Sequence, residues 1–183
     1  QTSPDSLTAK PYRIISNLPY NIATPLFTGW LENSWQGGVW TPRFLSMTCM
    51  FQKEVAQRIA AAPGTDNYGR LSVLAGWLTQ ARILFDVDRQ VFVPPPNVTS
   101  SIVHVVPRAN PLAPADPQML SQVTAAAFGQ RRKMLRASLK KICPSPSDIL
   151  AAADIAETKR AEHLEIEDFC ALARLIDDQN RQK

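Results

Sequence analysis

Glycine is scarce in this chain of 183 residues, with 7 glycines against 15 prolines. Loops that cradle phosphates or dinucleotides draw on clustered glycines, and neither G-x-G-x-x-G nor G-x-x-x-x-G-K-[ST] occurs anywhere. That excludes a glycine-rich nucleotide loop of either kind within these residues. Cysteine is equally sparse: Cys49, Cys143 and Cys170 lie far apart, without a C-x-x-C pair. An odd, scattered set does not make a disulfide framework, and it fits a reducing compartment with each thiol acting as a small buried hydrophobe. Only two histidines occur, His104 and His163, so no metal is expected. No apolar run approaches the roughly 18 residues of a membrane span, and no secretory signal opens the chain. A cytoplasmic protein with no membrane partner is the expectation. The first residue is Gln1 rather than Met, from which further sequence upstream is expected.

What is present is ordinary for a globular protein: 45% hydrophobic, 20% charged and 8% aromatic residues. The length suits one substantial domain, or a modest one with a smaller companion. A net charge of +4 permits a nucleic-acid partner without demanding one. The charge is unevenly spread, however. Residues 128–141 hold Arg131, Arg132, Lys133, Arg136, Lys140 and Lys141 with no acid, whereas residues 142–183 hold five bases against nine acids.

Prolines at 107, 111, 114 and 117 mark a linker, because proline at that density lacks the donors for helix or central strand. Upstream, strand-like runs (residues 12–16, 43–50, 83–87 and 101–106) alternate with helical patterns (22–31, 51–62 and 71–78). That alternation indicates an α/β layer with a substantially parallel sheet. Pro25 is expected in the first turn of its helix. Downstream the patterns are helical. In residues 117–142, Phe128, Leu135, Leu139 and Ile142 fall on one narrow stripe of a helical wheel. Ser147 and Asp148 suit the cap of a short helix through Ala153. Ile166, Phe169, Leu172, Leu175 and Ile176 give a last helix its apolar face.

The most informative tetrapeptide is Asn17-Leu18-Pro19-Tyr20, directly after a β-branched run. In an open α/β sheet, the carboxyl ends of the strands form the ligand crevice. The chemistry of this turn suits methylation of an exocyclic amine. Adenine N6 is a poor nucleophile because its lone pair is delocalised into the ring. An amide oxygen and a backbone carbonyl that accept both N6 hydrogens favour the pyramidal nitrogen. Tyr20 offers a face on which a base stacks for roughly 1–3 kcal/mol. The same four residues also read as an ordinary turn, with Tyr20 a core aromatic. A second aromatic, Phe92, precedes Pro94-Pro95-Pro96, a stretch expected to be extended and to order at little entropic cost. Tyr20 and Phe92 could sandwich one base, or each could serve packing.

The segments ISNLPYNI, FQKEVAQRI, YGRLSVLAGW, FVPPPNVTSSIVHVVPR and AFGQRRKMLRASL, in that order and spacing, resemble the KsgA-type ribosomal RNA adenine N6,N6-dimethyltransferases. The similarity runs from about Arg13 to Phe169. It implies the C-terminal half of a Rossmann-like S-adenosylmethionine-dependent methyltransferase sheet followed by a small all-α domain. Residues 1–108 would be the partial catalytic domain, 109–117 the linker and 118–183 a helical RNA-binding domain.

The implied reaction is dimethylation of two adjacent adenosines near the 3′ end of small-subunit (16S) ribosomal RNA during ribosome biogenesis. Asn17 would hold the N6 amine beside the cofactor's methionine end. The carbonyl of Leu18 or Pro19 would accept the second N6 hydrogen, and Tyr20 and Phe92 would stack the flipped adenine. The family's glycine-rich cofactor loop and ribose-holding acid would lie upstream, so the fragment alone is expected to be inactive. Its sheet would carry an uncovered edge at residues 13–16, open to the missing half or to another chain. Where Thr99 stands, the family commonly has an acid.

The wheel of the basic segment places Arg132, Lys133, Arg136 and Lys140 beside the apolar stripe. Arg131, Arg132, Lys133, Arg136 and Lys140 are therefore candidate phosphate contacts for RNA in the small subunit. Lys53, Arg58 and Arg70 are further cations such a surface would include. Two alternatives stand beside this reading: an erythromycin-resistance-type methyltransferase of large-subunit RNA, and a non-catalytic RNA-binding assembly factor.

Overall fold

Strand β1 (Tyr12–Asn17) alternates half-buried and exposed residues, the period-two signature of a strand with one face covered. In the computed structural model, which describes residues 10–181, this strand lies at one edge of a four-stranded sheet of order β1-β4-β6-β5. The partners are β4 (Phe44–Gln52), β5 (Thr79–Val87) and β6 (Ser100–Pro107). Only β1 and β4 run parallel; β6 is antiparallel to both β4 and β5. The sheet is therefore mixed, which corrects the expectation of a substantially parallel one. The reason lies in connectivity: β5 meets β6 through the loop carrying Phe92, with no helical crossover to return the chain in the same direction.

Helix α1 (Tyr20–Glu32) begins directly after Pro19, so Pro25 lies in its second turn and not its first. Its buried residues Ala23, Phe27 and Leu31 recur at helical spacing, and the Phe27 ring meets Phe51 of β4 edge-on at 5.8 Å. Between α1 and β4 the Gly37-Gly38 pair, both at positive φ, turns a small hairpin of β2 (Trp35–Gln36) and β3 (Val39–Trp40). That hairpin has no counterpart in the sequence reading. Helix α2 (Lys53–Ile59) follows β4 without a loop, and Phe51 is a buried strand residue, not a helical one.

The described chain forms two compact units. One comprises residues 10–60 and Leu78–Pro111, and the other Ala61–Trp77 and residues 112–181. The second is helical: α3 (Arg70–Leu78), of which only Leu78 belongs to the first unit, α4 (Pro117–Phe128), α5 (Leu135–Ser138), α6 (Pro146–Ala152) and α7 (Ile166–Arg181). Tyr68 and Phe128 meet edge-on at 5.8 Å, and Phe128 lies 5.4 Å from Phe169. Val73, Trp77, Leu120, Val123, Leu135, Leu139 and Ile176 are among the other buried residues of this unit.

The stripe in residues 117–142 is not one helix. Asp116 caps α4 by accepting from Met119 N–H at 2.8 Å, and α4 ends at Phe128 before Gly129. The chain then turns through residues 130–133 before the short α5 and a 3₁₀ turn over Leu139–Lys141. Likewise α6 starts at Pro146. The Ser147 hydroxyl donates to Glu157 at 2.8 Å instead of capping it.

Candidate active site

Asn17 closes β1, exposed, opposite Met50 of β4. Leu18 is buried and Pro19 exposed; the Pro19 carbonyl accepts the Ile22 N–H at 3.1 Å, closing the first turn of α1. Proline suits this place because its own N–H would have no helical acceptor. Tyr20, half-buried, is the first helical residue. The tetrapeptide thus stands at the carboxyl end of a strand, where open α/β sheets build ligand crevices.

Its phenol is tied to the sheet. The Tyr20 and Ser100 hydroxyls share a hydrogen bond of 2.6 Å between residues 80 apart in sequence. Ser100 is fully buried and opens β6, opposite Gln52 of β4 and Val87 of β5. The stretch running into Ser100 carries Phe92, half-buried, which follows a 3₁₀ turn over Arg89–Val91. Asp88 caps that turn by accepting from Gln90 N–H at 2.8 Å. The proline arm is not uniformly extended: it bends at residues 92–94 and again at 97–98.

Beside it, Lys53 donates to Asp86 at 2.6 Å, and Ser101 donates to the other Asp86 oxygen at the same distance. These bonds, Lys53 first, hold the Asp86 carboxyl below its ordinary range. The Lys53 N–H also donates to the Thr99 carbonyl at 2.9 Å. Lys53 thus braces the site's strands, and Arg58 pairs with Glu54 one turn away. Ser100, Ser101 and Asp86 escape sequence reasoning, since bonds across 15 and 80 residues leave no periodic trace. His104, within β6, bonds Thr48 of β4 through Nδ1 at 2.8 Å, a cross-strand packing role.

The basic residues belong to the helical unit. Arg131 pairs with Glu162 at 2.9 Å and reaches the Thr65 carbonyl at 3.3 Å. Arg136 pairs with Glu157 at 3.0 Å. The backbone joins in, with Leu135 N–H donating to Lys159 O at 2.9 Å. Two of the five cations named from sequence therefore fasten their own segment to residues 157–162. Arg132, Lys133 and Lys140 are exposed and enter no ion pair among the described residues. The described residues bring no three His, Cys, Asp or Glu side chains together as a metal site, and none of their helices is long and apolar enough to cross a membrane.

The sheet is Rossmann-like, of the kind found in methyltransferases, and its strand β1 runs out at Asn17 into Leu18-Pro19-Tyr20. The family described as ribosomal RNA adenine dimethylase matches residues 3–178, and the chain belongs to that family. It is 56% identical over 161 residues to the ribosomal RNA small subunit methyltransferase A of Xanthobacter autotrophicus, covering 88% of this chain and 54% of that protein. The chain spans about half the length of the curated relatives it matches. Among solved structures, a dimethyladenosine transferase from Plasmodium falciparum superposes with a TM-score of 0.75 at 25% identity, over 92% of this chain and 67% of that one. The 23S rRNA methyltransferase ErmE, at 23% identity and a TM-score of 0.61, covers 93% of this chain and 67% of its own and shares the fold.

Proposed function

We propose that this chain is part of an S-adenosylmethionine-dependent ribosomal RNA adenine N6,N6-dimethyltransferase that acts on small-subunit RNA in the cytoplasm during ribosome assembly. The observation that carries the reading is the placement of Asn17-Leu18-Pro19-Tyr20 at the carboxyl end of β1, with the Asn17 amide exposed and Tyr20 fixed by its hydroxyl. The small-subunit reading is favoured over the large-subunit one by the relatives' 52–56% identity, against 23% for ErmE.

In this reading the Asn17 side-chain oxygen accepts one N6 hydrogen and a backbone carbonyl the other. That carbonyl is Leu18's or Pro19's; the Pro19 oxygen already accepts Ile22 N–H and keeps a second lone pair for N6. Tyr20 and Phe92 stack the extruded base, costing the duplex little where the target lies in a loop. The cofactor, when bound, supplies an electrophilic methyl group. An uncharged, exposed amide at a strand's carboxyl end fits its methionine portion, and Asn17 would touch it there. The chain's contribution is orientation: it holds the nitrogen lone pair in line, and the methylated ammonium then loses its proton to solvent.

The unit of residues 10–60 and 78–111 serves as the partial catalytic domain, and the helical unit of residues 61–77 and 112–181 as an RNA-binding domain in which Arg132, Lys133 and Lys140 meet phosphates, with Arg131 and Arg136 supporting them. The outer edge of β1, where Ile15 is 83% exposed, takes a further strand from the longer protein or another chain. Alone, residues 1–183 bind the cofactor weakly or not at all, because the chain has no glycine-rich loop. Micromolar binding by calorimetry would overturn that part.

The test of the whole reading is methyl transfer from a labelled donor to immature small subunits by the full-length gene product. Transfer to adenosine N6 is expected, with loss of at least a hundredfold in Asn17→Ala, the order found for removal of one well-placed polar group in other enzymes. Methylation of large-subunit RNA alone, or unimpaired transfer by the variant, overturns it.

A further inference from the structure

We infer that Ser100 is a positioning residue for Tyr20, holding the ring in the pose that stacks the target adenine; this rests on the adenine-pocket reading given above. The hydroxyls are 2.6 Å apart, and Ser100 is fully buried at a point where β4 and β5 flank it. Its neighbours are fixed as well: the Thr99 carbonyl accepts from Lys53 N–H at 2.9 Å, and the Ser101 hydroxyl donates to Asp86 at 2.6 Å. The Ser100 oxygen is therefore a rigid point in the sheet.

Tyr20 is the opposite case. It begins α1 next to an exposed proline, and the Pro19 cap contributes no side-chain bond to hold that turn. A rotation about its first side-chain torsion would carry the phenol away. The bond to Ser100 opposes that rotation while leaving both ring faces unused by it. Packing alone would not call for this pair: a Tyr/Ser hydroxyl couple in a closed strand position costs desolvation unless each satisfies the other. Phe92 lies on the stretch that ends at Ser100, so one residue terminates the arm bearing one aromatic and ties down the other.

The test uses the full chain and an RNA hairpin with 2-aminopurine at one loop adenosine. Fluorescence quenching reports stacking, and anisotropy of an end label reports total binding. The proteins are wild type, Ser100→Ala, Tyr20→Phe and the double variant, with thermal midpoints as the folding control. Both single variants should weaken the quenching interaction roughly two- to tenfold, the value of one hydrogen bond. Anisotropy should stay unchanged, and the double variant should be no worse than either single.

Tyr20→Phe keeps the ring and leaves Ser100 in place, so it decides the matter even if Ser100→Ala folds poorly. Unaltered quenching in Tyr20→Phe, or additive losses in the double variant, overturns the role of Ser100 alone. A wild-type chain that gives no quenching while binding the hairpin overturns the adenine-pocket reading and this role with it.

Discussion

Cys49 and Cys170 are buried in different units, and burial raises both thiols, to about 11 and about 12. The thiolate is the reactive form, so neither should react with a disulfide reagent at pH 8 in the native state. Cys143 is buried too, and all three should react together only when denaturant is added, as read by thiol absorbance. One fast-reacting thiol in the native protein would contradict this. Asp86 behaves oppositely. Its carboxyl is held low by Lys53 and Ser101, so the tie stabilises the fold above the ordinary carboxylate range of about 4 and is lost as pH falls through Asp86's own lower value. Asp86→Asn should therefore lower the thermal midpoint slightly at pH 7. Lys53 and Asp86 are each more than 40% exposed, so the gap should shrink in salt and close in acid. An equal gap down to pH 2 would remove Asp86 as its source. Of these residues the cysteines were legible from their spacing alone, whereas the Asp86 tie was not. In the sequence Lys53 looks like any surface cation, because its partner is 33 residues away.

Elements were legible where one period runs unbroken and illegible where a second segment decides. The strand over Ser100–Pro107 and the helix over Arg70–Leu78 match their patterns within a residue. The stripe from Phe128 to Ile142 failed as one helix because a wheel cannot register the backbone bond from Leu135 to Lys159. Gly129 and the turn after it allow Leu135 and Leu139 to enter the core from a new direction, both fully buried. Asp116→Ala removes the acceptor for Met119 N–H and should cost about 1 kcal/mol, measured by urea unfolding. Arg132 and Lys133 lie in the turn, outside the internal ion pairs. Reversing both charges should weaken binding to a ribosomal RNA hairpin and flatten its salt dependence, leaving the thermal midpoint in place. Arg136→Glu, which breaks the pair with Glu157, should lower that midpoint. If reversal at 132 and 133 leaves affinity and slope unchanged, this turn does not meet phosphate.

At the scale of the molecule, the proline-rich stretch suggested a chain cut once, near residue 110. The compact units are instead interleaved, since Ala61–Trp77 packs with the C-terminal helices. No composition shift announces this, because residues 61–77 resemble their neighbours and only their destination differs. Tyr68, Val73 and Trp77 are all fully buried, and Trp77 donates its indole N–H to the Ala113 carbonyl at 2.7 Å. Residues 118–183 expressed alone should therefore give collapsed, poorly dispersed amide NMR spectra; a sharp, dispersed spectrum would show that the helices close without Tyr68 and Trp77. The same interleaving bears on inheritance. Recombination at the prolines would not carry the helical unit over as one piece, because residues 61–77 would stay behind. A crossover there would set α4 to α7 of one parent against the Tyr68 and Trp77 of the other, testing whether two independently drawn halves of one core still fit.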